Sequence, residues 1–244
     1  MALRITDVSA DAILLAGGAR AILLQLANPG VGHGVARHSD FVNRPLDRLH
    51  GTLTYLYVTV YGTPEEARAV ARQVGRAHAP VAGASDPALQ LWVAATLYDT
   101  AMRVRELVYG PLGDGDAESL LADYAVVGTA LGVPRAAWPE SRAAFTEYWR
   151  AQPLTVTDDA RGVATALLHA RNVPVWMRAL LPTVRLLTAG LLPPELREAY
   201  GLPFDERAYA RLARGLRAVY PRLPRAVRQA PMRRYLRAFR ARHG

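Results

Sequence analysis

Three times along this chain an oxygen-bearing side chain stands just before a proline or an acid and opens an apolar-periodic run. The sites are Thr63-Pro64-Glu65-Glu66, Ser85-Asp86-Pro87 and Thr157-Asp158-Asp159. Each is a helix start. The hydroxyl or carboxylate accepts from the first free N–H groups, proline suits the first turn, and the acids face the positive end of the helix dipole. The runs that follow keep apolar residues three and four apart, and no stretch alternates at the period of two that a strand needs. The chain is therefore expected to be all-α.

The same punctuation divides the rest. Residues 8–27 read as one helix loosened at Gly17-Gly18, ended by Asn28-Pro29-Gly30. Pro45 opens a helix to about Tyr61, and Ser85-Asp86-Pro87 opens a long one to about Tyr109. Glu118–Leu131, about 140–151 and about 158–169 follow, and the prolines at 174, 182, 193, 194 and 203 are expected to cut the remainder into short helices. Typical helix and loop lengths then predict eight to eleven helices, as roughly estimated. No linker or repeat interrupts them, so residues 1–244 are expected to form a single globular domain.

At 51% hydrophobic residues and 244 in all, such a domain can bury a sizeable core. The chain has no cysteine, which excludes disulfides, zinc ribbons, iron–sulfur clusters and thiolate-ligated haem. All 30 basic residues are arginine, and eleven of them lie between Arg211 and the C-terminus, where there is no acid. The net charge of +9 therefore belongs to residues 211–244, read as Arg-rich C-terminal helices. Two readings of that segment stand side by side. It is a solvated helical face, or it makes the protein a non-enzymatic module that binds nucleic acid or an anionic membrane. Met1–Ala12 has two acids before any apolar run, unlike a signal peptide, and Ile13–Ala27 is interrupted by Arg20, so a cytoplasmic location is expected.

Chemistry is best sought in the helix from Pro45 to Tyr61. Beside an ordinary core stripe of Leu49, Leu53, Leu56 and Val60 runs a polar one of Arg48, Thr52, Tyr55 and Thr59. If this helix is mostly buried, those groups need partners. A carboxylate-bearing cofactor would serve, and so would a structural ion pair with Asp99 or Glu106. The following helix places His78 on the face of Ala67, Val70, Ala71, Val74, Ala77 and Val81. That histidine is either a satisfied core residue or a metal ligand whose small neighbours would admit a planar group. His33 and His38 are five apart, off the spacing that pairs ligands on a helix, and Asp40 alone completes no metal pattern. Thr96, Asp99, Thr100 and Arg103 form a second polar face, read mainly as exposed or capping.

Taken together, residues 21–41, 44–67 and 77–83 resemble the MpaB/rubber-oxygenase catalytic-domain family, which includes the latex-clearing proteins. Residues 91–102, 132–139, 145–149 and 191–204 agree, so the resemblance covers nearly the whole chain. It implies an all-helical fold around haem b, with His78 of an H-x-x-V-x-G pattern (Val81, Gly83) as the iron ligand. It also implies Arg48 and Thr52 near the haem, Arg48 pairing with a propionate or polarising oxygen, with Tyr55 close by. The implied activity is an oxygenase using O2 on a hydrophobic small molecule, such as an isoprenoid or other unsaturated one; a haem peroxidase or sensor is the alternative. Two departures matter. The rubber enzymes' distal lysine falls at Gly51, in a chain with no lysine, so the sixth iron position is expected open or water-filled and rubber cleavage is not expected. Many relatives also have a histidine where this chain has Ala94.

Overall fold

The structure is a computed structural model that describes residues 2–38, 45–170 and 173–243, without the side chains of 36–38, 45 and 46. The described residues form helices and no strand. In chain order these are α1 (Ile5–Val8), α2 (Gly18–Ala27), α3 (Pro29–His38), α4 (Pro45–Tyr61), α5 (Pro64–His78), α6 (Pro87–Tyr109) and α7 (Asp114–Thr129). Then come α8 (Arg142–Arg150), α9 (Asp158–Leu168), α10 (Val175–Leu191), α11 (Pro194–Ala199), α12 (Glu206–Val219), α13 (Arg225–Arg228) and α14 (Ala230–His243). Short 3-10 turns at Ala12–Gly17, Arg135–Ala137 and Tyr220–Arg222 join some of them.

The three predicted helix starts are all capped as expected. Thr63 accepts from Glu66 N while Glu66 reaches back to Thr63 N, a reciprocal box, and Asp86 and Thr157 accept from Ala88 N and Ala160 N. The helix count exceeds the expected eight to eleven because one- and two-turn pieces such as α1, α11 and α13 leave little periodic signal. The predicted single helix at 8–27 is instead the 3-10 turn Ala12–Gly17 running into α2. Pro182 was expected to end a helix but lies inside α10. It is exposed, as is Arg178, so the Arg178 carbonyl that loses its donor can turn to water.

Helix α2 is the axis of the fold. Leu23, Leu24, Leu26 and Ala27 are buried, and α2 packs against α3, α6, α9 and α10. Its carbonyls near the C-terminal end draw donors from elsewhere. Trp92 Nε1 donates to Leu24 O at 3.2 Å, the Tyr200 hydroxyl to Leu23 O at 2.7 Å, and Thr155 N to Ala27 O at 2.7 Å. Among the described residues no helix is long and apolar enough to cross a membrane; Ala12–Ala27 and Pro29–Val35 pass only as a pair bent by 106°. A second cluster gathers Tyr55, Val58, Tyr98, Leu120, Leu121, Tyr124, Trp138 and Phe145 between α4, α6, α7 and α8.

The arginine-rich C-terminus is tied into this body. Leu236 and Phe239 of α14 are buried against α4, and Arg240 grips Glu66 of α5 through Nε at 2.7 Å and Nη2 at 3.1 Å. Arg228 donates to Asp11 at 3.0 Å and to the Tyr109 hydroxyl at 2.7 Å. Residues 211–243 are thus helices packed on the core with an arginine-rich outer face, not a free arm.

Adjacent glycines show how closely α2 approaches α6. A Cβ on Gly17 would lie 2.5 Å from Thr100 Cγ2 and 2.8 Å from Val104 Cγ2, whereas one on Gly18 would meet nothing within 4 Å. Gly17→Ala is therefore expected to lower stability by roughly 1–3 kcal/mol through overpacking. Gly18→Ala, at helical φ and ψ, should raise it by up to about 1 kcal/mol. Urea unfolding of the two variants checks the contrast.

Candidate functional site

Beside α2 the helices leave a cleft. It holds about 1170 Å³ of empty space, with the open solvent at its mouth included. Its walls come from the turn at Ala12–Gly17, α2, α4, α6 and α7, and most of the lining is aliphatic. Arg48 is the charged residue among the described lining; Thr52, Gln25, Tyr57, Thr100 and Tyr124 add polar atoms.

The sequence-predicted residues are only partly brought together. Arg48 and Thr52, one turn apart on α4, both line the cleft. The helix that presents them is not buried along its length as expected. Residues 47–52 are exposed, and the buried stretch runs from Leu53 to Thr59 apart from half-buried Leu56. Arg48 and Thr52 lie on this exposed part, within reach of water or a ligand. Even so, desolvation by the surrounding protein lowers the Arg48 pKa. An arginine starts so high that it stays charged. Of the two acids considered as its partner, Asp99 and Glu106, Asp99 is engaged by Arg20 and Arg103.

Tyr55 does not line the cleft. Its hydroxyl donates to the Val127 carbonyl, bracing α4 against α7. Burial pushes its pKa well above the ordinary phenol value, so it remains a neutral donor.

His78 ends α5. Because Gly62 and Thr63 turn the chain back on itself, α5 packs along α4, bringing His78 toward the Arg48 end of that helix. It is half-buried and not part of the described cleft wall. Its ring pKa is lowered from the ordinary 6.5, first by burial and then by the charge of Arg48. Its Nδ1 is buried with no hydrogen-bond partner among the described residues. Such an orphaned atom is uncommon and calls for an explanation. The turn after it is well made: Val81 N donates to His78 O at 2.8 Å, and Gly83 adopts φ 77°, a left-handed conformation that glycine tolerates. The space beside Gly34 is closed by this turn, since a Cβ there would lie 2.9 Å from Ala82 O.

The remaining candidates are not placed on the described cleft wall. His33 is exposed, and the His38 side chain and Asp40 lie outside the described residues. Among those residues no three His, Cys, Asp or Glu side chains are placed to hold a metal ion together. Ala94, where many relatives of the resembled family have histidine, is buried, and a Cβ on Gly128 of α7 would sit 3.5 Å from it.

Sequence reasoning missed Tyr57, Tyr124 and Gln25 as cleft residues. A signal existed for Gln25: it is the one amide in α2, and it donates to Thr96 Oγ1 at 3.1 Å. For the tyrosines there was none, because core and cleft tyrosines look alike in sequence. Tyr57 is buried, and burial raises its pKa to about 12.

Comparison with known proteins fits this picture. The chain is similar to two uncharacterised proteins, Mb2261 of Mycobacterium bovis and Rv2237 of Mycobacterium tuberculosis. Each is 34% identical over 248 residues, covering 91% of this chain and 96% of the relative. No solved structure matches it significantly. Residues 6–219, which include the whole described cleft wall and His78, match the description "ER-bound oxygenase mpaB/B'/Rubber oxygenase, catalytic domain", and the chain belongs to that oxygenase family.

Proposed function

We propose that this protein is a haem b-dependent oxygenase that uses O2 on an apolar small molecule, with His78 as the protein's ligand to the iron. The observation that supports it most directly is the His78 imidazole. It has a buried nitrogen with no partner among the described residues and a pKa held below 6.5, and it feels the charge of Arg48, which lines an apolar cleft. A neutral imidazole with an unused ring nitrogen is what an iron ligand requires, and which nitrogen points inward depends on the ring flip.

Haem b, when bound, would supply the redox chemistry with O2. The chain's own residues would do the rest. His78 would hold the iron. Arg48, charged at the cleft mouth, suits a propionate carboxylate, and the Thr52 hydroxyl one turn on can donate or accept a hydrogen bond. The aliphatic wall from Leu14, Ile22, Leu53, Leu56 and Val60 would exclude water and receive a hydrophobic substrate.

The absorption spectrum of the purified protein, or of protein mixed with haemin, tests this. A Soret band that develops to one haem per chain is the expected result, and a protein that stays colourless and refuses haemin is the adverse one. Turnover with O2 compared with peroxide separates an oxygenase from a peroxidase. The cleft can be tested independently of His78. Gly18 lines it and a Cβ there would meet nothing within 4 Å, so Gly18→Leu is expected to occupy the wall. Binding of an apolar fluorescent probe is expected to fall by about tenfold or more while thermal stability holds or rises.

A further inference from the structure

One apolar surface lies outside the cleft and is unused by the chemistry above. The first two turns of α10 expose Val175 by 71%, Trp176 by 63% and Leu180 by 51%. Isolated exposed apolar residues are ordinary, but these three share one helix face with Ala179 between them, which makes a patch. The last turns of the same helix sink Leu187, Ala189 and Leu191 into the core, so the exposed half is held on a rigid base. Helix α10 itself carries no acid and two arginines, of which Arg178 is exposed beside the patch.

We propose that this face of α10 docks on an anionic phospholipid surface, Trp176 and Leu180 entering the headgroup boundary and Arg178 pairing with lipid phosphates. Aliphatic and indole side chains flanked by arginine, without acids, are the composition that such an interface selects. A second copy of the chain is a poorer occupant. A two-fold contact of α10 on its own copy would set arginine against arginine, since this helix has no acid. Helix α10 also packs on α2 and on the turn Ala12–Gly17, both of which wall the cleft, so docking would bring the cleft near the membrane phase where apolar molecules concentrate. The proposal does not depend on haem.

Cosedimentation of the full chain with phosphatidylcholine vesicles, with and without phosphatidylglycerol, tests it. Binding is expected to the mixed vesicles, to be weak to the neutral ones, and to fall as salt is raised. Of the four tryptophans, Trp92 and Trp138 are buried and Trp149 is half-buried. The emission should therefore shift to the blue on binding, and Trp176→Phe should remove that shift. Trp176→Ser with Leu180→Ser should weaken binding by about tenfold or more, with an unchanged circular-dichroism melt because both side chains are exposed. Arg178→Glu, which cannot disturb the core, should weaken binding to the mixed vesicles alone. Binding that survives these changes, or that is lost only with Arg237→Glu and Arg242→Glu on α14, overturns the assignment. So does a dimer in solution that the serine pair dissociates.

Discussion

Alanine at position 78 is expected to leave a protein that folds as well as the parent but no longer develops a Soret band with haemin. The two halves of that result separate the readings of this histidine. A histidine that served the core through hydrogen bonds would cost stability when removed, because its partners would be left unsatisfied. Here the buried Nδ1 has no such partner among the described residues, so truncation removes an unsatisfied group and should be close to neutral in urea unfolding. A stable, colourless variant supports ligation, and His78→Gly regaining the band on addition of free imidazole would strengthen it. A destabilised variant that still binds haemin in full would remove His78 from the site. The pH dependence gives a second check. Protons compete with iron for the imidazole lone pair. The folded ring titrates below 6.5, first because burial disfavours its charged form and then because Arg48 repels the proton. The unfolded chain takes up that proton near 6.5 while the folded ring is still neutral. The His78 contribution to stability is thus fully present above 6.5 and is lost as pH falls through the lowered folded value. Haemin should be retained at pH 6.5 and released only on further acidification, as followed by the Soret band.

The helices were legible because their starts are written locally. Thr63, Asp86 and Thr157 cap within three residues, so no long-range knowledge was needed. The hairpin of α4 and α5 followed from Gly62-Thr63 and helix periodicity, and it is what brings His78 toward Arg48. The cleft was not legible. Its walls come from residues as distant as Ser9 and Val127, and an aliphatic residue facing a cavity reads the same as one facing a neighbour. Tyr55 illustrates the limit: the period of α4 puts it beside Arg48 and Thr52, but its phenol finds a carbonyl on α7 some 72 residues away. Arg20 is the reverse case. In sequence it merely interrupts an apolar run; in the fold it is fully buried and holds two walls of the cleft together.

That arginine sets the second large effect. Arg20 donates through Nε to Leu191 O at 2.7 Å, through Nη1 to Thr100 Oγ1 at 2.6 Å and through Nη2 to Asp99 Oδ2 at 2.6 Å. Desolvation lowers its pKa and Asp99 opposes that shift, so the carboxylate is what makes the buried charge tolerable. The two partners are not equivalent. Asp99 keeps some exposure and has a second cation, Arg103, at 2.9 Å. Asp99→Ala therefore strands a guanidinium in the core and is expected to cost about 3–5 kcal/mol. Arg20→Met removes the charge, leaves Asp99 with Arg103, and should cost less, roughly 1–3 kcal/mol for the lost hydrogen bonds. With both changes together, no buried charge remains, and the double variant should be more stable than Asp99→Ala alone. Urea unfolding of the three variants gives the order. If Arg20→Met proves the most damaging, the guanidinium matters here for packing and not as a charge that needs its carboxylate. Because Thr100 both accepts from Arg20 and lines the cleft, Asp99→Ala should also loosen that wall and weaken binding of an apolar probe, with a loss of stability that Gly18→Leu is not expected to show.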